Sequence, residues 1–95
     1  MEKKVNMNKA SKYPLKSEAN DLIKKSLYLI NDQYNTFEHV IDCLVVICEL
    51  KPLQAEQCTI ITHYNGICEI ASGSFEELSD LQEDLSIYGL NVEII

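Results

Sequence analysis

The chain contains only three glycines and two prolines, and four of these five breakers fall where a hydrophobic pattern stops or restarts. Pro52, Gly66, Gly73 and Gly89 therefore cut the stretch after residue 25 into short segments, and each must be read as a separate element. Ser26–Asn31 (SLYLIN) carries the compact apolar run Leu27, Tyr28, Leu29, Ile30 and predicts a strand. After a turn at Asp32–Tyr34, Asn35 predicts an N-cap, with Glu38 three residues later to bond back to its amide. The helix that follows places Phe37, Val40, Ile41, Leu44, Val45 and Cys48 on one broad face and is expected to end near Leu50. Pro52 suits the first turn of a second helix running to about Tyr64, with Leu53, Cys58, Ile60 and Ile61 partly inward and Asn65-Gly66 as its stop. Ile67–Ala71 (ICEIA) alternates poorly but is bounded by glycines, so a strand is expected. Ser74 and Glu77 form a second capping box opening a helix with Leu78, Leu81, Leu85 and Tyr88 at helical spacing. Leu90–Ile95 alternates as a last strand. The expected order is β-α-α-β-α-β, a single small two-layer α+β domain with three helices on a three-stranded sheet.

Charge is divided as sharply as pattern. Residues 1–25 hold seven lysines and three acids, whereas residues 26–95 hold Lys51 alone against twelve acids, and the chain has no arginine. The first segment, polar, aperiodic and interrupted by Pro14, reads as a flexible basic extension, with a short helix possible near Glu18–Lys25; residues 26–95 form the domain. An acidic body with one lysine lacks the cations that displace counterions from nucleic acid, so no nucleic-acid partner is expected. No apolar run approaches about 18 residues, so no membrane span is expected. Lacking the pattern of a secretory leader, the chain is expected in the cytoplasm with Cys43, Cys48, Cys58 and Cys68 reduced. A domain this small conceals only about 60% of its unfolded surface. A deep multi-substrate active site is not expected in it.

The cysteines do not read as a metal site or a nucleophile. Cys43 and Cys48, five apart on a helix, point roughly 140° apart, and Cys58 with His63 repeats that spacing. His39 and Cys43 share a helix face, but two ligands do not close a site. With no arginine and one lysine in the body, nothing lowers a thiol's pKa. No cofactor, no metal and no enzymatic activity are expected. Taken alone, Asn31-Asp32 is a turn-forming pair at a strand end, His63 a histidine near a helix C-terminus, and His39 a packed or half-exposed side chain.

Together these residues carry a resemblance. Leu27–Ile95 resembles the ClpS family, N-end-rule adaptors of the Clp protease, whose members read approximately N-D-D-x-T-P-M-E-F-V at the first strand–helix junction. This chain reads Asn31-Asp32-Gln33-Tyr34-Asn35-Thr36-Phe37-Glu38-His39-Val40 there, and His63-Tyr64-Asn65-Gly66 matches the family's later H-x-x-G without a gap. Ala55-Glu56-Gln57-Cys58 is similar to the form found in the Bacteroidetes lineage. The resemblance implies an adaptor that binds proteins bearing a bulky hydrophobic first residue, an N-degron, and delivers them to a ClpA- or ClpC-type AAA+ unfoldase. It implies amine binding by Asn31, Asp32 and His63, with Gln33 and Asn35 beside them. It further implies a side-chain pocket of Phe37, Val40, Thr59, Thr62 and Val92, and an unfoldase contact at Glu76. A basic extension of this length would serve substrate hand-off, and the protein would act as a monomer. Gln33, Asn35 and Thr36 depart from the family's aspartate, threonine and proline, and Phe37 replaces its methionine. The chemistry is consistent: an α-amine, with a pKa of about 8, is mostly ammonium at neutral pH. Asn31, Asp32 and neutral His63 are acceptors of suitable type, each charge-assisted bond contributing roughly 1.5–3 kcal/mol. The alternative is an interaction module of similar fold, such as a ribosomal-stalk-like domain, in which these three residues need not converge.

Overall fold

Leu27 and Leu29 alternate with half-buried neighbours and are themselves almost fully enclosed, which fixes which face of the first strand meets the helices. The structure, a computed structural model, describes residues 23–95. The expectations placed on residues 1–22 lie outside it. The elements run β1 (Lys25–Ile30), α1 (Phe37–Val46), α2 (Pro52–Asn65), β2 (Ile67–Gly73), α3 (Phe75–Ile87) and β3 (Val92–Ile94). This is the expected β-α-α-β-α-β order. Lys25, assigned to the extension from its composition, opens β1 instead, opposite Gly73.

β1 lies at the centre of an antiparallel sheet of order β2-β1-β3. Between Leu27 and Tyr28 the register with β2 shifts: Leu27 pairs with Ala71 and Tyr28 with Glu69, leaving Ile70 as a bulge. The bulge turns Ile70 and Ala71 successively towards the core, and this is why ICEIA alternates poorly. The helices cover one face of the sheet. Among the described residues, Leu27, Leu44, Leu78 and Leu85 are the largest fully enclosed side chains of the core between sheet and helices. Each is worth about 1.5–3 kcal/mol of burial.

Four expectations need correction. The cap of α1 is Thr36, not Asn35: Thr36 Oγ1 accepts from the His39 amide at 3.1 Å, and Asn35 is occupied elsewhere. α1 ends at Val46 rather than Leu50, and its buried residues are Val40, Cys43 and Leu44, with Phe37 44% exposed. On α2, Leu53, Ile60 and Ile61 face outward at 64%, 40% and 42% exposure, and the buried stripe is Ala55, Cys58, Thr59 and Thr62. Those four have the i, i+3, i+4, i+7 spacing of one face, and their small side chains let the helix approach its neighbours closely. The threonines tolerate burial because Thr59 Oγ1 donates to the Ala55 carbonyl and Thr62 Oγ1 to the Cys58 carbonyl, both at 2.8 Å. Tyr88, expected at the inner face of α3, lies just past the helix end and is exposed.

The remaining helix boundaries follow local chemistry. At α3, Ser74 and Glu77 bond reciprocally, Glu77 N–H to Ser74 Oγ at 3.2 Å and Ser74 N–H to Glu77 Oε1 at 3.0 Å. Gly73 makes room for this box, since a Cβ there would sit 2.6 Å from Glu77 Oε1. Gly66 closes α2 at φ 91°, its N–H on the Thr62 carbonyl at 2.8 Å. The end of α1 is less well served. Glu49 adopts φ 59°, a left-handed conformation that side chains with a Cβ resist. Glu49→Gly is expected to raise stability by about 0.5–1 kcal/mol, read as a higher urea midpoint with unchanged slope. An unchanged or lower midpoint would show that no strain is stored there.

Candidate functional site

The ladder between β1 and β2 extends one bond past the strand: the Asn31 N–H donates to the Gly66 carbonyl at 3.0 Å. Gly66 terminates the helix that carries His63 in its last turn. One backbone bond thus brings Asn31-Asp32 beside His63 although they lie more than a fourth of the chain apart. A cavity of about 410 Å3 opens at this corner, lined by Leu29, Ile30, Asn31, Asp32, Gln33, Asn35, Phe37, Val40, Thr59, Thr62 and His63. That volume lies in the range of small-molecule sites.

Most residues singled out from the sequence line this cavity; Val92 and Glu76 do not. Val92 is buried in β3, opposite Leu29, and belongs to the core. Glu76 is exposed in the first turn of α3, whose other end abuts the site roughly 20 Å of helix away. Leu29 and Ile30 were missed as lining residues because the first strand was read only as core; the signal was their position directly before Asn31.

The polar half of the cavity is built on Asp32. Its Oδ1 accepts from the Tyr34 and Asn35 amides at 2.8 and 2.9 Å, and its Oδ2 accepts from Asn35 Nδ2 at 2.9 Å. Partial burial pushes this carboxyl up. The opposing hydrogen bonds from the Asn35 amide, the Asn35 side chain and the Tyr34 amide outweigh it and hold the group below the usual carboxylate range. Asp32 is therefore a carboxylate at neutral pH and retains acceptor capacity on Oδ2.

The apolar half lies between α1 and α2. Val40, Thr59 and Thr62 are buried. With both hydroxyls bonded to helix carbonyls, the threonines offer the cavity little but hydrocarbon. Phe37 stands at the rim, its ring edge-on to His63 with centroids 5.2 Å apart and planes at 74°.

The cysteines are spectators of this site. Burial pushes the Cys48 thiol up to about 11 and, with a hydrogen bond to Cys68, the Cys58 thiol up to about 12. Burial, then the Asp42 charge, raises Cys43. All three thus disfavour the nucleophilic thiolate. Among the described residues no group of three or more His, Cys, Asp or Glu is placed to hold a metal ion, and no helix is long and apolar enough to cross a membrane.

A family model described as ATP-dependent Clp protease adaptor protein ClpS matches residues 24–93. The chain belongs to the ClpS family. A similar solved structure is Agrobacterium tumefaciens ClpS2 bound to L-phenylalaninamide, with a TM-score of 0.61 at 14% identity, covering 76% of this chain and 96% of that one. At that identity the likeness shows the shared fold. No curated protein sequence matches the chain. Membership of the ClpS family makes the chain a Clp protease adaptor, with a Clp protease as its partner in general terms.

The lowered pKa of Asp32 has a consequence for stability. A carboxyl depressed in the folded state adds stability that is fully present above its unfolded value, about 3.9, and is lost as pH falls through its folded value. The melting-temperature gap between the wild type and Asp32→Ala is expected to be widest at neutral pH and to narrow below about pH 4. A gap constant from pH 7 to 2.5 would show that the charge on Asp32 contributes nothing to folding.

Proposed function

We propose that this ClpS-family chain binds proteins whose first residue is large and hydrophobic and delivers them to a ClpA- or ClpC-type AAA+ unfoldase, without catalytic activity of its own. The observation that carries the reading is the convergence of Asn31, Asp32 and His63 at one end of a single cavity whose other walls are Val40, Thr59, Thr62 and Phe37. A free α-ammonium offers three N–H donors, and this end offers a side-chain oxygen, a carboxylate and a ring nitrogen. An acetylated or internal residue has lost the charge and all but one of the N–H donors, so selection for a chain terminus follows from the chemistry. The apolar half then accepts the first side chain. The ligand of the Agrobacterium relative, L-phenylalaninamide, has the same two parts, a free amine and an aromatic side chain. An interaction module with another kind of partner would not require these three polar groups to meet.

In this reading the acidic surface helps only at short range, because exposed charges are screened beyond about 8 Å at physiological salt. Residues 1–25 serve hand-off, Glu76 meets the unfoldase at the far end of α3, and the adaptor works as a cytoplasmic monomer.

Fluorescently labelled peptides that begin with Phe, Leu or Ala, and an N-acetylated Phe control, test the binding step. Phe and Leu peptides are expected to bind at least about tenfold more tightly than the Ala peptide, and acetylation to abolish binding. Equal affinity for free and acetylated Phe peptides would overturn the proposal. Asp32→Ala is expected to weaken the Phe peptide by more than about tenfold while the circular-dichroism spectrum is retained; unchanged affinity would remove Asp32 from the amine site.

A further inference from the structure

Two backbone carbonyls just past the end of α3 are held by side chains from the start of α1 and the loop before it. Past Ile87 the chain makes a tight turn, with Tyr88 N–H on the Leu85 carbonyl and Gly89 N–H on the Ser86 carbonyl. The carbonyls of Tyr88 and Gly89 lie in this turn, past the last residue of the helix. Asn35 Nδ2 donates to the Gly89 carbonyl at 2.9 Å, and His39, with its proton on Nε2, donates to the Tyr88 carbonyl at 2.8 Å. The two contacts are neighbours, yet only Asn35 also touches the site. Its other Nδ2 hydrogen goes to Asp32 Oδ2 at 2.9 Å, and its backbone N–H to Asp32 Oδ1 at the same distance.

We infer that Asn35 is a positioning residue of the amine site: its side-chain amide clamps the Asp32 carboxylate to the α3–β3 turn and thereby orients the remaining Oδ2 lone pair. The inference rests on the amine-binding reading above and adds to it a residue that need not touch the ligand. An amide is the smallest side chain with two hydrogens on one atom, so one group can hold a carboxylate and a carbonyl at once. Serine or threonine has one hydrogen and must choose. Both Asn35 Nδ2 hydrogens are used within the protein, which fixes the amide against Asp32 and the turn. Oδ1 already accepts two bonds and Oδ2 one, so the clamp determines which oxygen stays available and where it points. Ionisable side chains near this corner include His63 on α2, which lines the same cavity, Tyr34 in the Asp32 turn, and His39 on α1 and Tyr88 after α3, beside the clamped turn. None of them is a hydrogen-bond partner of the Asp32 carboxylate.

The test uses the full chain, the Phe-initiated peptide and a carbon-detected NMR titration of the Asp32 carboxyl group. Wild-type binding of the free but not the acetylated peptide is the condition for the amine-site reading; its absence sinks that reading rather than the clamp. With that condition met, Asn35→Ala is expected to weaken binding about five- to twentyfold and to raise the Asp32 titration midpoint, because a bond to the charged form is gone. His39→Ala frees the neighbouring carbonyl without touching Asp32 and is expected to leave affinity within about twofold. Asn35→Asp, nearly the same shape, places a second carboxylate against Asp32 and against a carbonyl. It is expected to bind worse than Asn35→Ala at neutral pH, since like charges in contact oppose ionisation. Unchanged affinity in Asn35→Ala, an unmoved Asp32 midpoint, or an equal loss in His39→Ala would each overturn the assignment. The last two outcomes would mean that Asn35 merely docks the turn. Should Asn35→Ala fail to fold, the ranking of Asn35→Asp against the wild type and the Asp32 midpoint in that variant decide the matter.

Discussion

β1 is hydrogen-bonded along both edges, and everything else in the domain is hung on it. Its inward residues, Leu27 and Leu29, seat the helices, while its backbone holds β2 on one side and β3 on the other. The bonds continue past the strand proper: Ile30 N–H reaches the Asn91 carbonyl at 2.8 Å, and Asn31 N–H reaches Gly66 at 3.0 Å. Those two contacts draw the start of the Asp32 turn towards both the end of α2 and the entry to β3. Without a central strand anchored in this way, Asn31, Asp32 and His63 would have no reason to share a cavity.

The site divides its work between rigid and adjustable parts. The carboxylate end is over-determined, with three hydrogen bonds on Asp32 and two on the Asn35 amide. Such preorganisation spares the ligand the cost of ordering its own receptor. The apolar end is closed by threonines whose hydroxyls are turned into the helix and by Phe37, which is only half enclosed and rests its ring on His63. The rim, not the floor, is where a ligand can still change the shape of the pocket.

Much of this was legible in the residue order, and the failures have specific causes. Ser74 with Glu77 and Gly66 after Asn65 are self-contained signals, and the structure places helix ends there. The cap of α1 was misplaced because Asn35 and Thr36 are both competent caps. What separates them is tertiary: Asp32 takes Asn35's amide and Gly89 takes its side chain, a partner 54 positions away that no local pattern reveals. The inner face of α2 was misread because Leu53, Ile60 and Ile61 dominate any hydrophobic count, whereas the packed stripe is made of Ala, Cys and Thr. The family motif placed the polar residues of the cavity by position alone. It did not distinguish Val92, the cross-strand partner of Leu29 on β3, from Leu29 itself, which lines the cavity.

Every lining residue of the cavity falls between Leu29 and His63, yet the acceptor that completes the Asn35 clamp is Gly89 and the second edge of β1 is covered only by β3. On a ribosome, the groups that would contact a ligand emerge well before the segments that hold them still. On the reading proposed above, a partly synthesised chain would hold Asn31, Asp32 and His63 before Gly89 and β3 are there to order the corner they share.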